Sequence, residues 1–265
     1  MMHSPLKNKA EIMGKKRIQI ALIISIILGF VSSTNCKNIG LLIMATGRYI
    51  EFIPQLRESA RKYFCPKHKV TFFIFTDGSL DQQPDTKIIY QKRLGWPYDT
   101  LLRCQAYYDY RDSLVSQDYL FALDADMCFL DPIGDEIFSE RVATFHPGFY
   151  GQRGPYESRK ESTAYIHHSQ GKYYFAGGFY GGTTKEFIQI SQIMVNNIYI
   201  DLEKNIIATW HDESQLNRYF ATYLPTRILT PDYCYPQSYP KEQWWLERFK
   251  PKLMALDKDH DEMHK

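Results

Sequence analysis

The chain has 265 residues, an aromatic share of 15% and a formal net charge of +2 at pH 7. A charge this close to zero excludes a strongly basic nucleic-acid-binding surface, so we expect no nucleic acid among its partners. The length suits one large α/β domain or two small ones.

The first 36 residues differ from the rest of the chain. Five basic residues precede an apolar run from Ile18 to Val31. This order predicts either a cleaved secretory signal or a short signal anchor. The apolar run is shorter than the roughly 20 residues that span a membrane comfortably, and the small residues at 32–34 would permit cleavage by a signal peptidase. We expect an uncleaved type II anchor with a cytoplasmic N-terminus, since the basic flank favours that orientation. Export after cleavage and a buried first helix are the alternatives.

Short apolar runs then alternate with amphipathic patterns. This alternation indicates an open, mostly parallel α/β sheet, which binds ligands at the carboxyl ends of its strands. A Gly turn after the first strand is typical of a nucleotide-binding unit, but there is no Gly-x-Gly-x-x-Gly, which disfavours a dinucleotide fold. The predicted strands are 38–45, 70–76, 88–90 and a fourth that begins at Tyr119 and ends with the acidic pair Asp124 and Asp126. The predicted helices are 50–64, 100–110, 187–200 and one that begins after Trp210 and continues to Tyr223.

Two aspartates stand at the end of the fourth predicted strand. Residues 119–123 form a continuous apolar run, which is typical of a strand buried on both faces, and Asp124 and Asp126 follow it. On a regular strand these two side chains would share one side of the sheet. Paired carboxylates at a buried strand end are costly without positive charge, and a divalent metal with phosphate oxygens supplies it. A surface turn with two solvated acids is the alternative interpretation.

The second half of the chain carries three unusual segments. His146–Gly151 is a rigid turn between aromatic residues, and Tyr173–Gly182 places aromatics around two Gly pairs. Gly pairs let the backbone approach a ligand closely, and aromatic rings suit the apolar faces of a sugar, although two hairpins with a Tyr/Phe core would give the same pattern. Residues 208–217 offer an aromatic platform with ionisable groups, or an ordinary acidic helix start.

These segments occur in the order found in glycosyltransferase family 6, the family of the histo-blood-group A and B transferases and the α-1,3-galactosyltransferases. The chain resembles this family from about Lys37 to His260. The resemblance rests on Asn38–Leu42 with Ala45–Tyr49, Asp124–Met127, His146–Gly151, Tyr173–Gly182 and Trp210–Ser214.

The resemblance implies a GT-A fold for residues 37–265, a single α/β domain with a mixed central sheet. Its N-terminal half would bind a UDP-sugar and its C-terminal half an acceptor. The implied reaction is retaining transfer of galactose or N-acetylgalactosamine from UDP to the 3-hydroxyl of an acceptor galactoside, which forms an α-1,3 linkage. The implied cofactor is a divalent metal, Mn²⁺, held by Asp124 and Asp126. Bacterial members with Asn-x-Asn work without metal, but this chain keeps both aspartates, so we expect metal dependence.

The resemblance also assigns donor-binding positions. The small residues Ala176, Gly177 and Gly178 would leave room for an N-acetyl group, so we expect UDP-GalNAc in preference to UDP-Gal. The remaining matches are Met44, Ala45 and Tyr49 around the uridine, Arg103 near the donor, Ala125 by the ribose, and Lys258 in a C-terminal tail that closes over the pyrophosphate.

On the acceptor side, His146 and Trp210 match acceptor contacts, and Glu213 matches both an acceptor contact and the catalytic carboxylate. Glu213 would be the nucleophile or the stabiliser of an ion pair. We expect Asp212 to be a structural acid that holds the turn, whereas His211 would either orient a neighbour or take part in the chemistry.

The chain departs from the family at two places. Pro236 falls where mammalian members have an acidic acceptor contact, and residues 156–168 look unlike the family.

Two other protein classes compete with a transferase. A non-catalytic sugar-binding module would not need the acidic pair together with Glu213. A metal-dependent phosphohydrolase would need a nucleophile or a second metal cluster, and the sequence suggests neither.

Overall fold

The computed structural model describes residues 36–264, so the apolar segment predicted to be a signal or an anchor lies outside the described residues. Within the described part, no helix combines the length and the apolar character needed to cross a bilayer. The chain from Lys37 onward forms one compact unit.

Two β-sheets organise residues 36–264. The central sheet has seven strands in the order β3-β2-β1-β4-β7-β6-β8, and a small sheet has the order β5-β10-β9. The strands are β1 Asn38–Met44, β2 Lys69–Thr76, β3 Thr86–Tyr90, β4 Tyr119–Asp124, β5 Met127–Phe129, β6 Arg141–Thr144, β7 Phe179–Thr183, β8 Arg227–Leu229, β9 Tyr235–Pro236 and β10 Leu253–Ala255.

The central sheet is mixed. Strands β3, β2, β1 and β4 run parallel, β7 runs antiparallel to both β4 and β6, and β6 is parallel to β8. The prediction of a mostly parallel α/β sheet is confirmed, because β7 alone among the seven strands runs opposite to the others, and this strand also confirms the mixed sheet that the family resemblance implied. Which strand is antiparallel was not predicted, because an apolar run gives no information about strand direction.

The predicted helices form, with shifted boundaries. The pattern over 50–64 begins as a 3-10 helix, Gly47–Phe52, and becomes α-helical where a proline occupies the first turn, a position that tolerates it. The predicted helix 100–110 is interrupted at Leu102. The α-helices are α1 Ile53–Tyr63, α2 Tyr98–Leu101, α3 Arg103–Asp109, α4 Thr184–Glu203, α5 His211–Thr222 and α6 His260–His264. The other 3-10 helices are Arg111–Ser113, Asp135–Ile137, Pro147–Phe149, Pro231–Tyr233 and Lys241–Arg248.

The sheet separates two hydrophobic layers. Neighbouring residues of β1 point to opposite faces, so Leu41 packs with α1 while Leu42 packs with α3 and α4. Large side chains such as Phe121 and Phe187 are almost completely buried in these layers. Each such burial stabilises the fold by about 1.5–3 kcal/mol.

The strand register brings the site segments together. Met44, the last residue of β1, pairs with Asp124, the last residue of β4, so both strands end at the same edge. The small sheet pairs β10 with β5, and the Leu256 N–H donates to the Asp126 carbonyl at 2.8 Å. The C-terminal tail is thereby anchored beside the two aspartates.

Candidate active site

A cleft lies at the carboxyl ends of β1 and β4, the edge that open α/β sheets use for ligands. Strand ends, the start of α5 and the C-terminal tail all contribute to its walls. Of the residues predicted for the site, the cleft is lined by Met44, Tyr49, Arg103, Asp124, Ala125, Asp126, His146, Trp210, Glu213 and Lys258.

The two aspartates face this cleft from different elements. Asp124 ends β4, whereas Asp126 lies in the turn before β5, so the regular strand assumed for the sequence ends one residue after the apolar run. Asp126 is only 3% exposed, and both burial and the charge of Asp124 raise its pKa. Two carboxylates in such surroundings require nearby positive charge.

The carboxylate pair fits a divalent metal in its chemistry. Carboxylate oxygens are the ligands that Mn²⁺ and Mg²⁺ prefer. Among the described residues, no three Asp, Glu, His or Cys side chains converge on one metal position. Asp124 and Asp126 would therefore supply part of a coordination shell that phosphate oxygens and water complete.

Arg103, the first residue of α3, connects three parts of the site. Its Nε donates to Asp212 Oδ2 at 2.5 Å, its Nη1 to Asp124 Oδ1 at 2.5 Å and its Nη2 to the Gly177 carbonyl at 3.0 Å. Although burial opposes its charge, the carboxylates of Asp212 and Asp124 hold the pKa of Arg103 well above its usual value. The guanidinium thus fixes the end of β4 relative to the start of α5.

Glu213 lies in the first turn of α5, with part of its side chain facing the cleft. Its Oε2 accepts a hydrogen bond from the Gly177 N–H at 2.7 Å. Burial raises the pKa of Glu213 to about 7, although the Gly177 N–H opposes this rise. The carboxyl group therefore changes its charge near neutral pH, which is typical of groups that take part in catalysis.

The neighbours of Glu213 have supporting positions. Asp212 is 1% exposed and pairs with Arg103, which agrees with the prediction of a structural acid, and burial raises its pKa to about 6. His211 has a φ of 48° and lies edge-on to Trp96, with 4.7 Å between ring centroids. The left-handed backbone of His211 is unfavourable by roughly 1–2 kcal/mol, so the surrounding contacts hold this turn in place.

The C-terminal tail closes one end of the cleft. The Nζ of Lys258 pairs with Asp126 and lies 5.6 Å from the centre of the Tyr49 ring. Burial opposes the ammonium charge, but Asp126 raises the pKa of Lys258. At the end of the tail, the His264 ring stacks on Trp96 at a centroid distance of 4.0 Å. The tail and the segment after β1 therefore meet at the predicted donor end.

His146 and Trp210 line the other predicted part of the cleft. The Nδ1 of His146 accepts from the Gly148 N–H at 3.1 Å, and burial lowers the pKa of His146 to about 4. His146 is therefore neutral at pH 7, with its proton on Nε2. Trp210 is 48% exposed, and its indole offers a flat apolar surface of the kind that binds one face of a sugar ring.

The remaining predicted residues lie behind the cleft wall. Ala45 and Ala176 are buried in the core at 0% and 2% exposure, so they pack inward and do not line the cleft. The backbone of Gly177 bonds both Arg103 and Glu213. A Cβ added at Gly178 would lie 2.7 Å from Met127 Cε, 3.0 Å from Cys234 Sγ and 3.2 Å from Asp124 Oδ2.

Several cleft residues carry no sequence signal that identified them. Trp96 is 48% exposed and is sandwiched between two histidines, but a single Trp before a proline indicates only a turn. Nothing in the sequence distinguishes His260 and His264 from the other polar residues of the C-terminal tail. The residues that the sequence analysis missed are Thr46, Trp96, Asp99, Thr100, His260 and His264.

The structure shows where the two departures from the family pattern, Pro236 and residues 156–168, lie in the fold. Pro236 pairs with Ala255 in the small sheet. In the 156–168 segment, Glu157 is 1% exposed and accepts from the Thr209 N–H at 2.9 Å. This segment therefore supports the residue that precedes Trp210.

Comparison with known proteins gives consistent matches. The model of glycosyltransferase family 6 matches residues 26–264. Globoside alpha-1,3-N-acetylgalactosaminyltransferase 1 of Gallus gallus is 32% identical over 239 residues, which cover 85% of this chain and 69% of the relative. Histo-blood group ABO system transferase 1 of Rattus norvegicus is 34% identical over 237 residues, with coverages of 84% and 67%. Globoside alpha-1,3-N-acetylgalactosaminyltransferase 1 of Homo sapiens is 32% identical over 236 residues, with coverages of 84% and 67%.

Proposed function

Because this chain belongs to glycosyltransferase family 6 and is an α-1,3-glycosyltransferase, we propose that it transfers N-acetylgalactosamine from UDP to the 3-hydroxyl of a galactoside. The α configuration of the donor is retained. The observation that carries this proposal is the convergence of an acidic pair, a buried arginine and a carboxylate of raised pKa in one cleft. The N-terminal half binds the donor and the C-terminal half the acceptor.

The donor end of the cleft offers positive charge for a diphosphate. The uracil ring lies against Tyr49, and Lys258 and Arg103 offset the charge that develops on the departing UDP. Mn²⁺ held by Asp124 and Asp126 would add Lewis-acid stabilisation of the same leaving group. Lys258 contacts Asp126 directly, so this ammonium already neutralises part of the acidic pair.

Glu213 acts on the anomeric carbon. Retention requires either a covalent glycosyl intermediate on this carboxylate or front-face attack with the carboxylate stabilising a short-lived ion pair. Both routes need Glu213 ionised and fixed in orientation. The Gly177 N–H holds one of its oxygens, and Arg103 fixes the helix start through Asp212.

The acceptor binds on the side of His146 and Trp210. The Nε2 proton of neutral His146 is a donor for a sugar hydroxyl, and Trp210 presents its ring face to the apolar face of the galactoside. Because Pro236 replaces an acidic contact, the acceptor differs from those of mammalian members in the groups near that position.

Donor choice depends on the small residues beside the acidic pair. Gly178 packs directly against Met127, Cys234 and Asp124, and a larger residue there would push these side chains away from the glycine. Together with Ala176 and Gly177 it keeps the wall behind Asp124 thin, which favours a donor sugar with an N-acetyl group. We propose UDP-GalNAc as the preferred donor for this reason. Replacement Gly178→Ala crowds Met127, Cys234 and Asp124, and we expect it to shift the preference towards UDP-Gal.

The proposal includes a cellular setting. The basic flank and apolar run of residues 7–31 favour a type II membrane anchor that places the catalytic domain across the membrane. Export after signal cleavage is the alternative. Extraction of the expressed full-length chain with carbonate separates the two, because an anchored chain stays in the membrane pellet.

A transfer assay tests the proposed reaction. Radiolabelled UDP-GalNAc and UDP-Gal are supplied in parallel with a panel of β-galactosides, with Mn²⁺ or with EDTA. We expect incorporation mainly from UDP-GalNAc and only with metal. A strong preference for UDP-Gal would overturn the donor assignment, and release of UDP without labelled glycan would overturn the transferase assignment.

A further inference from the structure

A buried hydroxyl group lies beside the proposed catalytic carboxylate. Tyr174 is 1% exposed, and its hydroxyl oxygen has no hydrogen-bond partner among the described residues. The hydroxyl lies close enough to the Glu213 carboxyl to lower the pKa of Glu213 as a hydrogen-bond donor does, but the two groups do not reach the geometry of a regular hydrogen bond. An unpaired buried hydroxyl destabilises the folded state, and phenylalanine would remove this cost without changing the packing.

The surrounding residues prevent the hydroxyl from turning away. The centroid of the Tyr174 ring lies 5.6 Å from that of His146, 5.4 Å from that of Phe149 and 5.2 Å from that of Tyr156. The backbone of Gly154 packs so closely that a Cβ there would lie 2.2 Å from the ring. The hydroxyl is therefore held near Glu213 by a packed cluster.

Among the described residues, the Gly177 N–H on Oε2 is the one donor that bonds the Glu213 carboxyl group with regular geometry. A second donor would fix the plane of the carboxylate as well as the position of one oxygen. Resting on the proposed function, we propose that Tyr174 is a positioning residue whose hydroxyl donates to the Glu213 carboxylate when the donor sugar is bound. It orients the carboxylate towards the anomeric carbon and stabilises its ionised form.

This role explains why tyrosine occupies a position where the hydroxyl of the unliganded protein makes no hydrogen bond of regular geometry. The regular hydrogen bond forms in the reacting complex. Until then the unliganded protein bears the free-energy cost of a buried hydroxyl group without a regular partner. Tyr174 also contacts His146, so one ring joins the acceptor contact to the catalytic carboxylate.

The test compares Tyr174→Phe with wild type and with Tyr156→Phe. The Tyr156 hydroxyl belongs to the same cluster but donates to the Tyr173 carbonyl, so it is a matched control. For Tyr174→Phe we expect kcat to fall roughly 10- to 100-fold, with thermal stability equal or higher and the UDP-sugar Kd unchanged. For Tyr156→Phe we expect lower stability with kcat retained.

A second measurement does not depend on turnover. The ¹³C shift of the Glu213 carboxyl, assigned by comparison with Glu213→Gln, reports its titration with UDP-sugar bound. Loss of the Tyr174 hydroxyl moves this titration to higher pH, because the ionised form loses a donor.

Failure of the positioning role and failure of the proposed function give different results. Unchanged kcat together with an unchanged Glu213 titration in Tyr174→Phe would overturn the positioning role. Wild type that transfers neither sugar would instead overturn the proposed function, and the carboxyl titration would still test the contact between Tyr174 and Glu213.

Discussion

Arg103 and Asp212 form a buried ion pair in which the guanidinium Nε donates to Oδ2 at 2.5 Å, with both side chains at most 8% exposed. The same guanidinium reaches Asp124 at the end of β4. The acidic pair and the helix that carries Glu213 are therefore connected through one side chain. A change at Asp212 is expected to affect the site and the fold together.

Asp212→Asn tests this connection. The substitution leaves Arg103 buried with one charged partner fewer, so we expect the free energy of unfolding to fall by about 3–5 kcal/mol. Urea denaturation measures the change. The matched control is Asp112→Asn, which removes an exposed partner of Arg111 and is expected to cost less than about 1 kcal/mol. Equal, small effects of the two substitutions would show that the buried pair does not contribute as described.

Glu213→Gln tests the assignment of the catalytic carboxylate. The amide keeps the size of the side chain and can still accept from Gly177, but it has no negative charge. We expect kcat to fall by roughly 10³-fold or more, while the Kd of UDP, measured by calorimetry, stays within about twofold. The exposed Glu58→Gln variant serves as control. A near-normal kcat in Glu213→Gln would remove this residue from the mechanism.

The pH dependence of transfer follows from the raised pKa of Glu213, which is about 7. The ionised carboxylate is the reactive form, so we expect kcat/KM, which reports the titration of the unliganded enzyme, to fall as pH decreases through about 7, approaching tenfold per pH unit at lower pH. The residual rate of Glu213→Gln should lack this limb. An acidic limb that persists unchanged in Glu213→Gln would assign the titration to a different group.

Asp126→Asn tests the metal site. Asp126 is buried beside Asp124, and one neutral side chain here weakens attraction for a divalent cation. We expect calorimetry to show at least a tenfold weaker Mn²⁺ affinity in the presence of UDP, and we expect wild-type activity to stop in EDTA and return with Mn²⁺. Full activity of Asp126→Asn in EDTA would contradict a metal role.

The sequence predicted those parts of the site that depend on local patterns. An apolar run followed by acids indicates a buried strand that ends at a charged edge, and β4 does so, although it stops at Asp124 and does not continue to Asp126. The cluster after Trp210 indicates a helix start, and α5 begins at His211. These features depend on strand and helix periodicity, which neighbouring residues determine.

The long-range contacts were not predictable in the same way. Arg103 was matched only as a basic residue near the donor, and its pairing with Asp212 joins residues that are 109 positions apart. The interaction of Tyr174 with Glu213 depends on packing between segments, and periodicity contains no information about such pairs. Ala176 was expected beside the donor because of its size, but it packs into the core.

The structure of the transferred product tests the central claim most directly. The catalytic domain is incubated with Mn²⁺, UDP-GalNAc and a β-galactoside, and the purified product is analysed by NMR for anomeric configuration and linkage. We predict N-acetylgalactosamine in α linkage to the 3-position of galactose. A β-linked product, a different linkage position, or UDP release without a glycan product would contradict retaining α-1,3 transfer in this cleft.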